Sequence, residues 1–403
     1  MKALNWHLLL LEDNPFSVTP PQDPKDVKWA GMPELKEEIE QKLFQARLSA
    51  ITQVILCRGP LGGGKTHAML YYTLLNHWPV VLDPNVRDIF VIPVQLPRET
   101  GKADKDFYTD VLERIGMPQI RQAVTKALQE VGEQTGLITL QKITGSESLG
   151  KAICMLGSSY DPVQNDLIKL NTHSERELLL DSYFLDGCTK AELRKLGLAR
   201  NIDKAQDRFR ILAGLFHCLI GLSPDNNIAR HNRVCLWIDE LEDLIYYTSA
   251  QFRPFTQGLR DLVDHIPNFF SMWMNMTLTE PSESYTIEVL MGKPLVDRIT
   301  DHIIFREMTI SQGLQYVQEL MRLWRTQQPE DLGLSPLYPF EEDALRYLIE
   351  NLDKRTPRSI NERCRSVLMI ALREEEANDR GQISINLNFV KGITRLELDK
   401  EME

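Results

Sequence analysis

The chain has 403 residues, of which 43% are hydrophobic and 26% are charged, so it is long enough for two or three ordinary domains with buried cores. Its formal charge of −11 argues against a generally basic coat for nucleic acid and leaves only a local basic patch as an option. The six cysteines form no Cys-x-x-Cys pair, and we expect them to be reduced, apolar residues of a cytoplasmic protein. The apolar run 7–11 is too short for a signal peptide or a membrane span, which predicts a soluble protein with no membrane partner.

The predicted elements begin with a segment rich in turn formers, residues 1–31, which should lie extended against a folded body. An amphipathic helix is predicted over 34–47, an apolar strand over 52–58 and a helix over 67–76. Four further apolar strands are predicted at 89–94, 234–238, 269–278 and 302–305. Strands that are apolar throughout and are separated by helices indicate a parallel sheet covered on both faces.

The interval 97–232, between the second and third strands, is far longer than a simple crossover needs, and its pattern is helical. We interpret it as an inserted, mostly helical subdomain with a capping box formed by Thr189 and Glu192. Helices are predicted within it at 106–115, 120–130 and 207–222. Beyond the fifth strand, helices are predicted at 311–325, 341–351 and 357–375, and a final strand at 383–389.

The stretch 59–66 fits the pattern G-x-x-x-x-G-K-[ST] at every fixed position and lies between a predicted strand and a predicted helix. Glycines let consecutive backbone N–H groups approach phosphate oxygens, and the helix N-terminus adds the positive end of its dipole. Lys65 is placed to reach the β- and γ-phosphates, and the Thr66 hydroxyl to ligate Mg²⁺. A glycine-rich turn with a stray lysine is the alternative, but the strand–loop–helix context favours nucleoside triphosphate binding. The predicted nucleotide-binding residues are Gly59, Pro60, Leu61, Gly62, Gly63, Gly64, Lys65, Thr66 and His67.

Two acids, Asp239 and Glu240, end the predicted third strand. In a P-loop NTPase a carboxylate at this position holds the Mg²⁺ shell, and a second one beside it orients the attacking water. The alternative is a pair of acids that simply closes a strand. Glu242 and Asp243 are expected to be solvated residues of the next turn.

Polar residues also end the fourth strand, where Asn275 or Thr277 is placed to hydrogen-bond the attacking water or the γ-phosphate. Thr279 is a further option, and the sequence leaves the choice among the three open. Because no base-reading motif of the GTPase kind is visible, ATP is the expected nucleotide, with Mg²⁺.

Two arginines are candidates for contact with phosphate. The Thr-Pro pair 356–357 predicts a helix N-terminus that puts Arg358 in the first turn, where the helix dipole disfavours a cation. An anion should compensate it, either a γ-phosphate or a surface acid. Arg298 precedes the fifth strand at an edge of the sheet, where it either acts in trans on a neighbour's nucleotide or pairs with Asp297 or Asp301.

With these residues together, the chain resembles an AAA+ ATPase. The matching stretches are GPLGGGKT (59–66) as Walker A, VCLWIDE (234–240) as Walker B, VDRI (296–299) before the fifth strand and TPRSIN (356–361) at the start of a lid helix. The resemblance implies an α/β fold with a five-stranded parallel sheet in the order 5-1-4-3-2, a large helical insertion and a C-terminal helical lid. It also implies that ATP binds between self-assembled subunits.

The resemblance gives each candidate residue a role. It implies phosphate binding by Lys65, Mg²⁺ binding by Thr66 and Asp239, water activation by Glu240, a first sensor at Asn275 or Thr277, an arginine finger at Arg298 and a second sensor at Arg358. The division implied is an extended segment 1–31, a nucleotide-binding core 32–96 and 233–308, an insertion 97–232, a lid 309–378 and a tail 379–403.

Within this superfamily, the leader NPFSVTPP (14–21) and the helix WAGMPELKEEI (29–39) are similar to the origin-recognition and initiator group. The stretch LLLDSYFLDGCTKAELRKLGL (178–198) is weakly similar to ATP-binding subunits of BREX-type phage-defence systems. The first hypothesis is therefore a self-assembling ATPase that acts as regulator or motor in a DNA-directed system, with duplex DNA contacted by 194–210 or 354–365. The alternative is an ATP-dependent switch whose insertion recruits an effector protein without direct DNA binding.

Overall fold

A computed structural model describes residues 5–21, 23–74, 89–96, 103–157, 173–222, 232–278, 283–378 and 383–393. The chain divides into two compact units, which are described separately. The lid unit consists of Met1–Ile39, Arg58–His77 and Ile304–Glu403. The sheet unit consists of Glu40–Cys57 and Trp78–Ile303.

One parallel sheet of five strands has the order β2-β3-β4-β1-β5, which confirms the predicted order 5-1-4-3-2. Its strands are β1 Gln53–Gly59, β2 Ile89–Gln95, β3 Arg233–Asp239, β4 Phe270–Thr277 and β5 Asp301–Ile304. Every residue of β3 is buried, as expected for a strand in the interior of a parallel sheet whose faces are both covered. All six cysteines are free and buried, as predicted from their scattered positions.

Helices make up most of the remaining chain. In chain order, the first twelve are α1 Pro33–Leu48, α2 Lys65–Leu74, α3 Ala103–Ile115, α4 Met117–Val131, α5 Glu133–Thr144, α6 Glu147–Cys154, α7 His173–Leu185, α8 Lys190–Leu196, α9 Ala205–Ile220, α10 Ser249–His265, α11 Glu283–Met291 and α12 Lys293–Val296. The predicted capping box is confirmed at α8, where Glu192 N donates to Thr189 Oγ1 at 3.3 Å and Thr189 N donates to Glu192 Oε2 at 2.7 Å. No described helix is long and apolar enough to cross a membrane.

The helices of the predicted insertion share one hydrophobic core with the sheet. The ring of Phe107 on α3 lies 5.9 Å from that of Phe209 on α9 and 5.1 Å from that of Phe255 on α10. Beside them, Arg208 on α9 forms a buried ion pair with Asp104 on α3. Helices α3 and α9 are therefore packed as part of the sheet unit's core.

The lid unit contains α13 Ile310–Arg322, α14 Glu342–Glu350, α15 Pro357–Asn378 and α16 Leu387–Gly392. The N-terminal segment lies against these helices, and its described residues, 5–21 and 23–31, include two short 3-10 turns, Trp6–Leu9 and Pro24–Asp26. Its apolar residues Leu9 and Phe16 are buried in the same core as the helices. A buried arginine, Arg325, donates from Nη1 to the Leu9 carbonyl at 2.6 Å.

The predicted strand over 383–389 is wrong. Only one bridge pair, between Ile385 and Phe340, forms there, and the chain then enters α16. The Asn386 side chain accepts from Phe389 N at 2.9 Å and so caps the helix. The alternation of apolar and polar residues over 383–389 predicted a strand, but Asn386 in the middle of it favours a helix N-terminus.

Candidate functional site

The phosphate loop follows β1 and leads directly into α2, as the motif predicted. Gly62 and Gly64 have φ angles of +72° and +98°, which favour glycine. A Cβ on Gly63 would lie 2.9 Å from the Pro60 carbonyl oxygen. The loop is therefore a cradle that side chains would fill, and it fits a phosphate group approached by backbone N–H groups.

Lys65 and Thr66 lie in the first turn of α2, and the N–H groups at a helix N-terminus favour a bound anion. The Lys65 ammonium is buried and donates to two carbonyls of its own loop, Gly59 at 3.0 Å and Pro60 at 2.9 Å. These bonds hold the cation at the loop, where it would compensate a bound phosphate.

The next residue, His67, ties α2 to the N-terminal segment. Its Nε2 lies 2.8 Å from the Lys28 carbonyl oxygen. Burial lowers the pKa of His67 and so favours the neutral ring. Because a carbonyl oxygen can only accept, Nε2 carries the proton in this contact and donates it. The Trp29 ring also packs on α2, 5.4 Å from Tyr71 and 5.9 Å from Tyr72. The sequence analysis did not single out Trp29, because nothing local links it to the phosphate loop.

Helix α15 begins against the phosphate loop. Arg358 N donates to the Gly62 carbonyl at 3.3 Å, and a Cβ on Gly62 would lie only 2.6 Å from Arg358 Cβ. The Thr356 hydroxyl accepts from Ser359 N at 3.3 Å, as the predicted N-cap requires. Arg358 thus lies beside the loop in the lid unit, and its contact with phosphate stays a prediction.

A buried chain of hydrogen bonds ends at Asp239 in the sheet unit. Asp239 is the last residue of β3, and its Oδ1 accepts from Asn275 Nδ2 on β4 at 2.9 Å. Asn275 Oδ1 in turn accepts from Trp237 Nε1 at 3.0 Å. Trp237 and Asn275 are 0% exposed and Asp239 is 2% exposed. The Asn275 amide is therefore in direct contact with the Asp239 carboxylate.

Glu240 follows with a left-handed backbone, φ +59° and ψ +39°, which costs an L-residue about 1 kcal/mol. Its Oε2 accepts a hydrogen bond from Gln95 Nε2 at the end of β2. Gln95 was not predicted as a site residue from the sequence. The signal that finds it is sheet register, since Gln95 lies opposite Asp239 in the β2–β3 pair.

The expectation that both acids of the next turn are simply solvated is wrong. Asp243 is buried, and the half-buried Glu242 accepts through Oε2 from the backbone N of Thr277 at 2.9 Å. The reason is that 3-10 helix Leu241–Tyr246 turns back towards the end of β4 instead of running into solvent. Thr277 contributes this backbone contact, and Thr279 lies outside the described residues.

Arg298 is paired with Asp264 near the end of α10, and not with Asp297 or Asp301. Its Nε donates to Oδ1 at 2.8 Å and its Nη2 to Oδ2 at 3.2 Å, and these bonds raise the pKa of the guanidinium. Arg260 Nε lies 3.1 Å from the same Oδ2. The Arg298 side chain remains 37% exposed.

The residues available to Mg²⁺ are of the right chemistry. Among the described residues, no group of three or more His, Cys, Asp or Glu side chains forms a ready-made metal site. Mg²⁺ bound with a nucleotide needs fewer protein ligands, because it uses one or two carboxylates and the substrate's phosphates. The Thr66 hydroxyl and the Asp239 carboxylate are oxygen ligands of that kind.

No protein-family model matches the chain, and no curated protein matches it. Among solved structures, the Aeropyrum pernix ORC2 protein in ADPNP–ADP complexes is 10% identical with a TM-score of 0.47, and the match covers 94% of this chain and 71% of that one. A chain of the Drosophila ORC bound to DNA is 11% identical with a TM-score of 0.45. That match covers 98% of this chain and 65% of the Drosophila chain. The Thermotoga maritima RuvB Holliday junction branch migration motor is 12% identical with a TM-score of 0.36, covering 93% and 72%.

Proposed function

We propose that this chain is an ATPase that binds ATP–Mg²⁺ on the phosphate loop and hydrolyses it. The observation that carries the proposal is the glycine cradle at the N-terminus of α2, with the buried Lys65 ammonium held on it. When bound, the nucleotide supplies the γ-phosphoryl group and Mg²⁺ neutralises its charge.

The roles of the binding residues follow from their surroundings. Lys65 exchanges the carbonyls of Gly59 and Pro60 for phosphate oxygens, while Thr66 binds the metal with its hydroxyl. Arg358 binds the γ-phosphate from the first turn of α15, supported by its position beside Gly62.

The roles in hydrolysis belong to the sheet unit. Asp239 holds Mg²⁺, and Glu240 orients the attacking water and accepts its proton. Gln95 and the left-handed backbone of Glu240 fix the direction of that carboxylate. Asn275 and Thr277 are the candidates for the first sensor.

We further propose that the protein assembles with itself and that Arg298 acts in trans on a neighbour's nucleotide. The half-exposed guanidinium next to edge strand β5 supports this role. On this proposal the assembly works as regulator or motor in a DNA-directed system such as bacterial phage defence, as the sequence resemblance implies.

The decisive experiment compares wild type with Glu240→Gln by mass photometry, with and without ATP–Mg²⁺ and duplex DNA. The substitution removes the base but keeps the binding residues, so ATP turnover should fall roughly 100-fold or more while ATP binding survives. The variant should then accumulate as a ring or filament. Lys65→Ala is the matched control, which should lose binding and assembly together. A chain that remains monomeric in every condition would contradict the role of Arg298.

A second function, a protein-interaction switch, is favoured by the charges around α9. Two arginines of the basic stretch 194–210 are engaged within the protein, Arg200 by Asp207 and Arg208 by Asp104, which weakens this stretch as a DNA contact. The same experiment separates the two functions. If DNA enlarges the ATP-dependent assembly, the motor or regulator is supported, and if DNA has no effect at low salt, the switch is supported.

A further inference from the structure

We propose that Trp237 is a positioning residue that holds the Asn275 side chain in the orientation in which its amide nitrogen donates to Asp239. This inference rests on the proposed role of Asp239 in holding Mg²⁺. It concerns the buried chain of three side chains that runs from the indole N–H through the amide to the carboxylate.

The orientation of the amide follows from what each group can do. An indole N–H only donates, and an ionised carboxylate only accepts. Asn275 lies between the two, so its oxygen must face Trp237 and its nitrogen must face Asp239, at the distances of 3.0 and 2.9 Å observed. The reverse orientation would set two donors against each other and two acceptors against each other.

The surroundings of the Asn275 amide stabilise this orientation. All three side chains are buried, so water is not at hand to replace a lost bond, and a buried polar group left without its partner is costly. Trp237 and Asn275 lie on neighbouring strands of the parallel sheet, β3 and β4, which fix their separation. The indole is itself held by Trp273, whose ring lies 4.6 Å away.

Two consequences follow for the site. Asn275 Nδ2 fixes the plane of the Asp239 carboxylate through Oδ1, as a supporting hydrogen bond does for a metal ligand. Asn275 therefore acts on the metal through Asp239. Loss of its amide should weaken Mg²⁺ binding more directly than it affects the activation of water.

The sheet offers a matched control for the indole N–H. Trp237 and Trp273 pack against each other on neighbouring strands with their ring planes tilted by 37°, and both are 0% exposed. Trp237 Nε1 donates to Asn275, whereas Trp273 Nε1 has no hydrogen-bond partner among the residues that the structure describes. Trp237→Phe and Trp273→Phe thus remove the same volume from one buried pair of rings, but only the first removes the hydrogen bond.

The test measures the affinity of a fluorescent ATP analogue with Mg²⁺ and with EDTA, because the ratio of the two affinities reports the metal alone. Trp237→Phe should reduce this ratio roughly ten-fold, the usual effect of losing such a supporting bond, with the EDTA affinity unchanged. Trp273→Phe should leave the ratio within about two-fold of wild type. Equal ratios in the two variants would overturn the proposal.

A second route covers a variant that fails to fold. Asn275→Leu removes the amide at similar volume and should reduce the ratio at least as much, and adding Trp237→Phe to it should cause no further loss, since both act through one chain of bonds. Additive losses would overturn the proposal. If wild type binds no nucleotide, the proposed function fails, whereas nucleotide binding with a Mg²⁺ ratio that Trp237→Phe leaves intact defeats this inference alone.

Discussion

At the scale of single residues, Gly62 shows how a variable position of a motif is constrained by packing. The Walker A pattern leaves this position open, yet its φ of +72° and the approach of Arg358 both require glycine. The carbonyl of Gly62 also accepts from Arg358 N at 3.3 Å. The loop that is proposed to bind the nucleotide therefore also packs against the start of α15.

We predict that Gly62→Ala weakens ATP binding roughly ten-fold or more, because the new Cβ would lie 2.6 Å from Arg358 Cβ and displace either the loop or α15. Equilibrium binding of a fluorescent ATP analogue measures this. Gly333→Ala is the control for backbone strain, since Gly333 has a nearly identical φ of +73° with nothing within 4 Å of its Cβ direction. Similar losses of binding in both variants would refute the packing argument.

The residues predicted from the sequence are those with a local signal. Lys65 and Thr66 follow a glycine pattern, and Asp239 ends an apolar run, so spacing alone finds them. Gln95 and Trp237 could not be found in this way, because their roles depend on which residues face each other across β2, β3 and β4. Register is set by the whole sheet and is not visible in one strand.

At the scale of elements, α9 and α10 are joined by a half-buried histidine that should make stability depend on pH. His217 Nε2 lies 2.9 Å from the His265 carbonyl oxygen. Burial is the main cause that lowers the pKa of His217, and the charge of His265 lowers it further. Because this pKa is lower in the folded than in the unfolded chain, the unfolded chain takes up the proton more readily. The stabilisation is complete above about pH 6.5 and is lost as the pH falls from there towards the lowered pKa.

We therefore predict that His217→Gln reduces the acid sensitivity of the sheet unit, since glutamine can still donate to the His265 carbonyl but takes up no proton. Urea unfolding at pH 7.5 and 5.5 measures the effect. The midpoint of wild type should fall more between these values than that of the variant. Equal falls would show that His217 does not contribute to this sensitivity.

Helix periodicity placed most elements within a few residues, while the tail was misassigned. Helices at 106–115 and 120–130 were predicted, and they occur as Ala103–Ile115 and Met117–Val131. The segment 383–389 alternates apolar and polar residues along its whole length, which is typical of a strand, so periodicity alone favoured the wrong element. The side-chain cap at Asn386 decided the outcome.

At the scale of the molecule, the described part of the interval 97–232 is mostly helical, as predicted. The sequence could not show what those helices contact. Helix α9 packs with α3 and α10 through Phe209 and its neighbours, in the core that includes the sheet. A Cβ on Gly258 of α10 would overlap the Phe209 ring, so the packing of α9 also requires glycine at this position of α10. A deletion that ends inside α9 would therefore open the core, and the role of the insertion is better tested by substitutions on its surface.

The proposed assembly concerns the whole molecule, and the proposal predicts that Asp264 controls it. Asp264 holds Arg298 through two hydrogen bonds at 2.8 and 3.2 Å. In the proposed trans role of Arg298, a neighbour's phosphate would therefore have to compete with this carboxylate. A ligand shifts an equilibrium between two states only by the difference in its affinity for them. Without the Asp264 carboxylate as competitor, Arg298 would bind the neighbour's phosphate more tightly, which would favour the assembled state. Asp264→Asn should thus lower the protein concentration that gives half-maximal ATPase activity by roughly two- to five-fold, as expected for an exposed ion pair.

Asp297→Asn is the matched control for Asp264→Asn. It makes the same change in charge one residue from Arg298, but its carboxylate lies 3.6 Å from Lys293 and accepts nothing from Arg298. ATPase activity measured against protein concentration, with light scattering on the same samples, compares the two variants. A higher concentration requirement in Asp264→Asn would mean that the carboxylate orients Arg298 for its partner. An equal shift in both variants would mean that only the net charge of the surface matters.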